Sequence, residues 1–336
     1  MTRKVGIIGV GHVGAAVAHQ IIITGATDDL ALIDIDTKKV EADALDFEDA
    51  MANLPSHTNI TVNDYAELAD ADVIVSAVGN IGIQKIKLDR FAEVGFTSNA
   101  VKHVAAKIKA SGFNGILIVI SNPCDIQTMI YQQLTGLPQN HVMGTGTLLD
   151  SARMQRAVAA CLNIDPRSVT GYNLGEHGNS QFTAWSTVRV LGQPIQAVAE
   201  QRGLNLDDLD NEARIGGYHV MIGKHYTNYA IAAATTHLLN AVLSDAHTEM
   251  PVSNYRPEFD CYVSYPVIVG RNGVLTSTQL DLSANEQTKL AQSANFIKTR
   301  FTDIMQLPLE DETTTDEYTQ SHLTELQQLD VANFVE

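Results

Sequence analysis

The stretch Val5-Gly-Ile-Ile8 runs directly into Gly9-Val-Gly11-His-Val-Gly14, and this junction restricts the fold more than any other feature of the chain. An apolar run over Lys4–Val10 is too short for a buried helix and reads as a strand. A Gly-x-Gly-x-x-Gly turn behind it opens a helix, expected from about His12 to Thr24. A second strand, Leu30–Ile35, follows, and Val73–Val78 and Gly115–Ile120 repeat the short apolar run between helical patterns. Parallel neighbours need crossovers of this kind, so the class is α/β, with an N-terminal doubly wound parallel sheet of the Rossmann type.

After about Gly144 the rhythm changes. A helix is predicted over Leu148–Cys161, then a β-rich stretch over Ser168–Val190, then long helices over Leu206–Ile222 and Thr227–Leu243. Asn272-Gly273 lies between two apolar runs and suits a type I′ hairpin turn. Ser283-Ala-Asn-Glu286 has the form of a capping box opening a helix to about Met305. The 336 residues, 45% of them hydrophobic, suffice for two cores. The expected division is a dinucleotide-binding unit over 1–144, a C-terminal α+β catalytic unit over 145–309 and an acidic tail over 310–336. Leu323, Leu326 and Leu329 hint at a short amphipathic helix in that tail, although a mobile, solubilising segment without chemistry is the stronger reading.

The glycines have separable tasks. Gly9 permits the tight turn, Gly11 lets backbone approach a pyrophosphate, and Gly14 lets the helix pack on the strand. The helix N-terminus favours an anion. Asp34, at the end of the second strand, is placed to accept from ribose hydroxyls and to repel a 2′-phosphate, and Ile35 and Asp36 beside it offer no arginine. The cofactor expected is NAD rather than NADP. Val13, Gly79, Ser121, Asn122, Thr145 and Ile231 are further candidates for contact with it.

Charge excludes other classes. The formal net charge is −17, and eight acidic residues with no Lys or Arg fall between Glu310 and Glu336. Nucleic acid and anionic membranes both require a basic surface, so neither is an expected partner. No apolar run approaches the roughly 20 residues that span a bilayer, and Met1-Thr-Arg-Lys4 leads into the first strand without a signal-peptide core. Cys124, Cys161 and Cys261 are odd in number and widely spaced, which argues against a disulfide framework or a metal site and fits a reducing cytoplasm.

The candidate chemistry lies in the middle third. His177 stands between glycines in Gly175-Glu-His-Gly-Asn179, while Asp150 and Arg153 are three apart on one predicted helical face. An Asp bonded to one imidazole nitrogen would fix the tautomer and favour imidazolium, leaving the other nitrogen to protonate a carbonyl oxygen. Arg153 offers a planar fork matched to a carboxylate. The competing reading makes Asp150 and Arg153 a plain surface ion pair.

Asn122-Pro-x-Asp125, Gly144-Thr-Gly-Thr-x-Leu-Asp150-Ser-Ala-Arg153 and Gly175-Glu-His-Gly-Asn-Ser180, in this order behind the glycine turn, resemble the L-lactate and malate dehydrogenase superfamily over nearly all of residues 3 to 305. Within it the chain most closely resembles L-2-hydroxyisocaproate dehydrogenases, through Leu45-Asp-Phe-Glu-Asp-Ala-Met-Ala-Asn-Leu54, Ala160–Val169 and Gly171–Gln181. The resemblance implies that His177 is the acid–base residue, Asp150 its orienting carboxylate and Arg153 the clamp on the substrate carboxylate. It implies that Asn122 bonds near the substrate oxygen and the nicotinamide, and that Arg90 closes over the substrate and polarises its carbonyl. Thr145 would approach the carboxamide, Ile231 would pack on the ring, and Thr227 would line the side-chain end of the pocket.

The resemblance also bears on the substrate. The segment Gly79–Arg90 holds no arginine before Arg90, which disfavours oxaloacetate although Lys85 or Lys87 could partly substitute. Ile81, Ile83 and Ile86 suggest an apolar lining. The substrate expected is a 2-oxo acid with an apolar, branched side chain. The alternatives are L-lactate dehydrogenase acting mainly on pyruvate, then malate dehydrogenase, then a non-catalytic NAD-binding protein. Gln155 and Thr170 stand where sugar-bisphosphate-activated relatives carry Arg and His, so such activation is not expected. A homo-oligomer, dimer or tetramer, is implied.

Overall fold

The computed structural model describes residues 2–79, 93–313 and 317. Six strands, β1 (Lys4–Ile8), β2 (Asp29–Ile33), β3 (Asn59–Val62), β4 (Val73–Ser76), β5 (Ile116–Val119) and β6 (Val142–Gly144), pair in parallel in the order 3-2-1-4-5-6. This is the doubly wound arrangement expected from the repeated apolar runs. Helices α1 (His12–Thr24), α2 (Thr37–Met51), α3 (Val94–Ser111) and α4 (Cys124–Thr135) make crossovers between them.

The remainder holds α5 (Leu148–Leu162), short strands β7 (Val169–Thr170), β8 (Asn173–Leu174), β9 (Phe182–Thr183), β10 (Arg189–Val190) and β11 (Gln193–Pro194), and helices α6 (Ile195–Arg202), α7 (Leu206–Lys224) and α8 (Tyr229–Leu243). A meander of β12 (Thr248–Arg256), β13 (Cys261–Gly270) and β14 (Gly273–Ser277) precedes the last long helix, α9 (Ala284–Met305). The meander does not form a sheet of its own. It extends the parallel sheet through an antiparallel pairing of Ser253 with Gly144, so the two halves share one nine-stranded sheet among the described residues.

Alternation along the strands sorts the core into two faces. Val5 and Ile7 of β1, with Ile116 and Ile118 of β5, pack with α1 and α8, whereas Ile8, Leu117 and Val119 pack with α3, α4 and α9. Burial on both faces explains why these strands are apolar throughout. A third cluster, including Met154, Val158, Val188, Ile195 and Leu209, anchors α5 to α6 and α7.

Several expected boundaries move, each for a local reason. The strands forecast to Val10, Ile35 and Val78 leave the ladder at Ile8, Ile33 and Ser76, because the following residues turn outward to build the crevice at the sheet's carboxyl end. The helix forecast from Thr227 begins at Tyr229, where the Asn228 side chain accepts from the Tyr229 amide at 2.9 Å. The hairpin turn centres on Arg271-Asn272, and only Gly273 takes a positive φ, 76°, so the type I′ assignment is incorrect. The capping box at Ser283 and Glu286 is formed as expected.

The start of the acidic tail is also more ordered than the composition suggests. Asn99 Oδ1 accepts from the Glu310 amide at 2.9 Å, His103 Nε2 lies 2.7 Å from the Glu310 carbonyl, and Lys107 contacts both carboxylate oxygens of Glu312. Spacing of about one helical turn along α3 thus straps residues 310–312 down. Leu323, Leu326 and Leu329 lie outside the described residues. Among those described, no helix is long and apolar enough to cross a membrane.

Candidate active site

The glycine turn lies where β1 and β4 send their connections to opposite sides, the place where open α/β sheets hold ligands. Gly9 has φ 89°, and a Cβ there would lie 2.7 Å from the Ala77 carbonyl carbon. A Cβ on Gly14 would sit 1.9 Å from the Gly9 oxygen, while one on Gly11 would meet nothing within 4 Å. The outer two glycines therefore close the turn and the middle one borders open space. Gly11 caps α1, whose first turn has no acidic residue to offset its partial positive charge. These features fit a dinucleotide pyrophosphate.

Asp34 also holds the turn in place. Its carboxylate accepts from the Val10 amide at 2.5 Å and the Asp36 amide at 2.9 Å. Lys39 contacts the Val10 carbonyl and Asp43 from the other side.

A cavity of about 300 Å³ is bordered by Gly11, Val13 and Gly79, by Ser121, Asn122 and Thr145, and by Arg153, His177, Thr227 and Ile231. One space thus unites residues drawn from both halves of the chain. Gly9, Gly14, Asp34 and Asp150 are not among the residues that line it. Arg90 and the segment carrying Ile81, Ile83, Lys85, Ile86 and Lys87 lie outside the described residues.

Asp150 sits in the first turn of α5 and is 2% exposed. One carboxylate oxygen lies 2.5 Å from His177 Nδ1, and the other accepts from the Arg153 guanidinium at 2.8 Å. The ion pair is therefore formed in a buried carboxylate rather than on the surface, and the same carboxylate faces His177. With Nδ1 facing a carboxylate, Nδ1 is the protonated nitrogen and Nε2 remains for the cavity. Arg153 and His177 side chains keep 14% and 13% of their surface, enough to meet a small solute.

Beneath this pair lies further buried acid. Asp125 accepts from the His177 main-chain amide at 2.8 Å, and burial, reinforced by the neighbouring Glu176 charge, pushes its carboxyl up to about 6. Glu176 accepts from the Ser180 amide and hydroxyl at 3.1 and 2.7 Å, closing the loop that presents His177.

Sequence reasoning missed nine described residues of the cavity wall, with Gly217, Met221, His12 and Tyr226 among them. Gly217 on α7 has no side chain where a Cβ would lie 2.8 Å from an Arg153 guanidinium nitrogen. The adjacent pair Gly216-Gly217, unfavourable inside a helix, was the available signal. Met221, one turn later, lines the same cavity. His12 and Tyr226 stack at 3.9 Å with planes 2° apart, joining the glycine turn to the loop that carries Thr227. No periodicity announces a contact between segments so distant in sequence.

Comparison with known proteins follows the same outline. Residues 3–144 match the NAD-binding domain of lactate/malate dehydrogenase, and residues 147–307 match the alpha/beta C-terminal domain of that family. L-lactate dehydrogenase 1 of Bifidobacterium longum is 34% identical over 305 residues, covering 88% of this chain and 96% of that protein. L-lactate dehydrogenase 2 of Enterococcus faecalis is 34% identical over 304 residues, covering 88% of this chain and 95% of that protein. The ligand-bound minor L-lactate dehydrogenase of Enterococcus mundtii superposes with TM-score 0.86 at 35% identity, over 92% of this chain and 99% of that one. Lactate dehydrogenase of Cryptosporidium parvum, solved with lactic acid and nicotinamide adenine dinucleotide, gives TM-score 0.87 at 28% identity, over the same shares.

Proposed function

The chain belongs to the lactate/malate dehydrogenase family and is an NAD-dependent 2-hydroxyacid oxidoreductase, and within that family we propose that it interconverts L-2-hydroxy acids and 2-oxo acids bearing apolar, branched side chains. The observation that carries this reading is the wall beside His177 and Arg153. Leu149, Met221, Thr227 and Ile231 line the cavity shared with these two residues, and Gly217 contributes no side chain beside Arg153. Thioether and aliphatic groups accept an alkyl side chain of variable shape, and Met in particular adapts to it.

The residues divide the work as follows. Arg153, held by one Asp150 oxygen, presents its remaining donors to the substrate carboxylate. Imidazolium His177 gives the Nε2 proton to the substrate oxygen during reduction and recovers one during oxidation. Asp150 stabilises the imidazolium and fixes the ring. Asn122 and Thr145 orient the groups between them. When bound, the nicotinamide supplies hydride chemistry to the substrate carbon. Arg90, as the family resemblance implies, would add positive charge at the oxygen where negative charge develops.

A second reading, pyruvate as the main substrate, is favoured by the names of the similar proteins. The two are separated by catalytic efficiency on 4-methyl-2-oxopentanoate, pyruvate and oxaloacetate under one set of conditions. Three further buried carbons contribute about 2.4 kcal/mol, roughly fiftyfold, so a preference of that order for the branched acid is expected. A preference for pyruvate would replace the present reading, and one for oxaloacetate would refute the apolar pocket. A homo-oligomer, as the family resemblance implies, is tested by the mass in solution.

A further inference from the structure

A buried carboxylate is expensive unless its environment uses it. Asp125 is 1% exposed, and the Asn122-Pro-x-Asp125 motif that contains it has so far received a role only for Asn122. Its two oxygens face different segments. One accepts from the His177 amide at 2.8 Å and the other faces the Ser264 hydroxyl on β13 at 3.4 Å.

Ser264 is the junction of this arrangement. Its hydroxyl oxygen accepts from the Thr147 amide at 3.1 Å, immediately before the helix that carries Asp150. Its main chain exchanges two hydrogen bonds of 3.1 Å with Gly175, at the start of the loop that carries His177. Gly146 lacks a side chain where a Cβ would lie 2.3 Å from the same hydroxyl. A continuous path therefore joins the Asp150 helix to the His177 loop without passing through the imidazole: Thr147 amide, Ser264 hydroxyl, Asp125 carboxylate, His177 amide.

We propose that Asp125, acting with Ser264, is a positioning residue that sets the His177 main chain against α5 and so fixes the imidazole on Asp150. The proposal rests on the reading of His177 as the acid–base group. Asp125 touches neither the cavity nor a reacting atom; it acts through His177. The other titratable groups around it are His177 itself, Glu176 on the same loop, Cys124 on α4 and Cys261 on β13. Its hydrogen bond is geometric in effect, because a shift of the loop by about 1 Å costs roughly a hundredfold in turnover.

The test compares Asp125→Ala, Asp125→Asn, Ser264→Ala and His177→Ala, measuring kcat and KM with 4-methyl-2-oxopentanoate, the most active of the three acids above if another, and NADH affinity by fluorescence. Asp125→Ala is expected to lose roughly a hundredfold in kcat, with KM and NADH affinity within about twofold of the parent. Asp125→Asn keeps a carbonyl oxygen for the His177 amide and should recover most of that loss. Ser264→Ala should lose about tenfold in kcat alone, and this variant decides the matter if Asp125→Ala does not fold. Unchanged kcat in Ser264→Ala, or an Asp125→Asn no better than a folded Asp125→Ala, overturns the proposal. Equal losses in kcat and NADH affinity would do the same, since they mark a general structural defect. If His177→Ala itself turns over normally, the functional reading fails instead, and the two failures remain distinct.

Discussion

The cofactor turn and the proposed catalytic pair border one cavity and are built in opposite ways. Gly9, Gly11 and Gly14 are near neighbours in sequence, and their geometry follows from the steric freedom of glycine and the start of one helix. Asp150 and His177 come from separate elements and meet at 2.5 Å only because β13, α4 and α5 are already in place. The first region is largely local, held from outside by Asp34 and Lys39 and by the close approach of Ala77 to Gly9. The second depends on the whole sheet, including the strands that join the two halves of the chain. If this contrast is correct, damage to one region should leave the other working.

The largest effect is expected in the assembled region. Asp150→Asn keeps the shape but loses the charge that stabilises imidazolium, and it should lower kcat by roughly a thousandfold while NADH still binds. Loss of NADH affinity by a similar factor would break the contrast. In the local region, Gly14→Ala forces a Cβ against the Gly9 oxygen at 1.9 Å. Its NADH affinity should fall at least about tenfold, with a lowered melting temperature, and parent-like affinity would show that the turn adapts.

Arg153→Lys tests the clamp with a smaller change. An ammonium loses the paired geometry, so KM should rise about tenfold with a lesser change in kcat, and an unchanged KM would remove Arg153 from that role. The smallest effect concerns pH. Burial raises the Asp125 carboxyl from an ordinary 3.8 to about 6 in the folded chain, so its proton contributes stability fully present below about pH 4 and lost as pH rises through that raised value. The melting temperature of Asp125→Asn relative to the parent should therefore improve between pH 5 and pH 7. A constant difference would mean that burial does not hold the Asp125 proton.

The same contrast explains what could be read in advance. Helix α1 has the limits that its apolar spacing and flanking glycines indicated, and Ser283 and Glu286 form their capping box, because both signals act within a few residues. The glycine turn, His177, Asp150 and Arg153 were legible as residue types in suggestive spacing. Ser264 was not, since its partners Thr147, Gly175 and Asp125 lie far from it in sequence and only strand pairing brings them together. Gly217 gave a signal, a helix-breaking residue inside a helix, but its reason is the Arg153 guanidinium on another helix. Asp34 was read for its charge, and its hydrogen bonds to the Val10 and Asp36 amides appear only once the turn is folded.

The most direct test is a pair of readings on one variant, His177→Ala: NADH binding by fluorescence titration and NADH oxidation with a 2-oxo acid. The account predicts turnover reduced by roughly a thousandfold or more and NADH affinity within about twofold of the parent. Turnover that survives the substitution would contradict the assignment of His177 as the acid–base group, and parallel loss of NADH affinity would contradict the separation of the two regions.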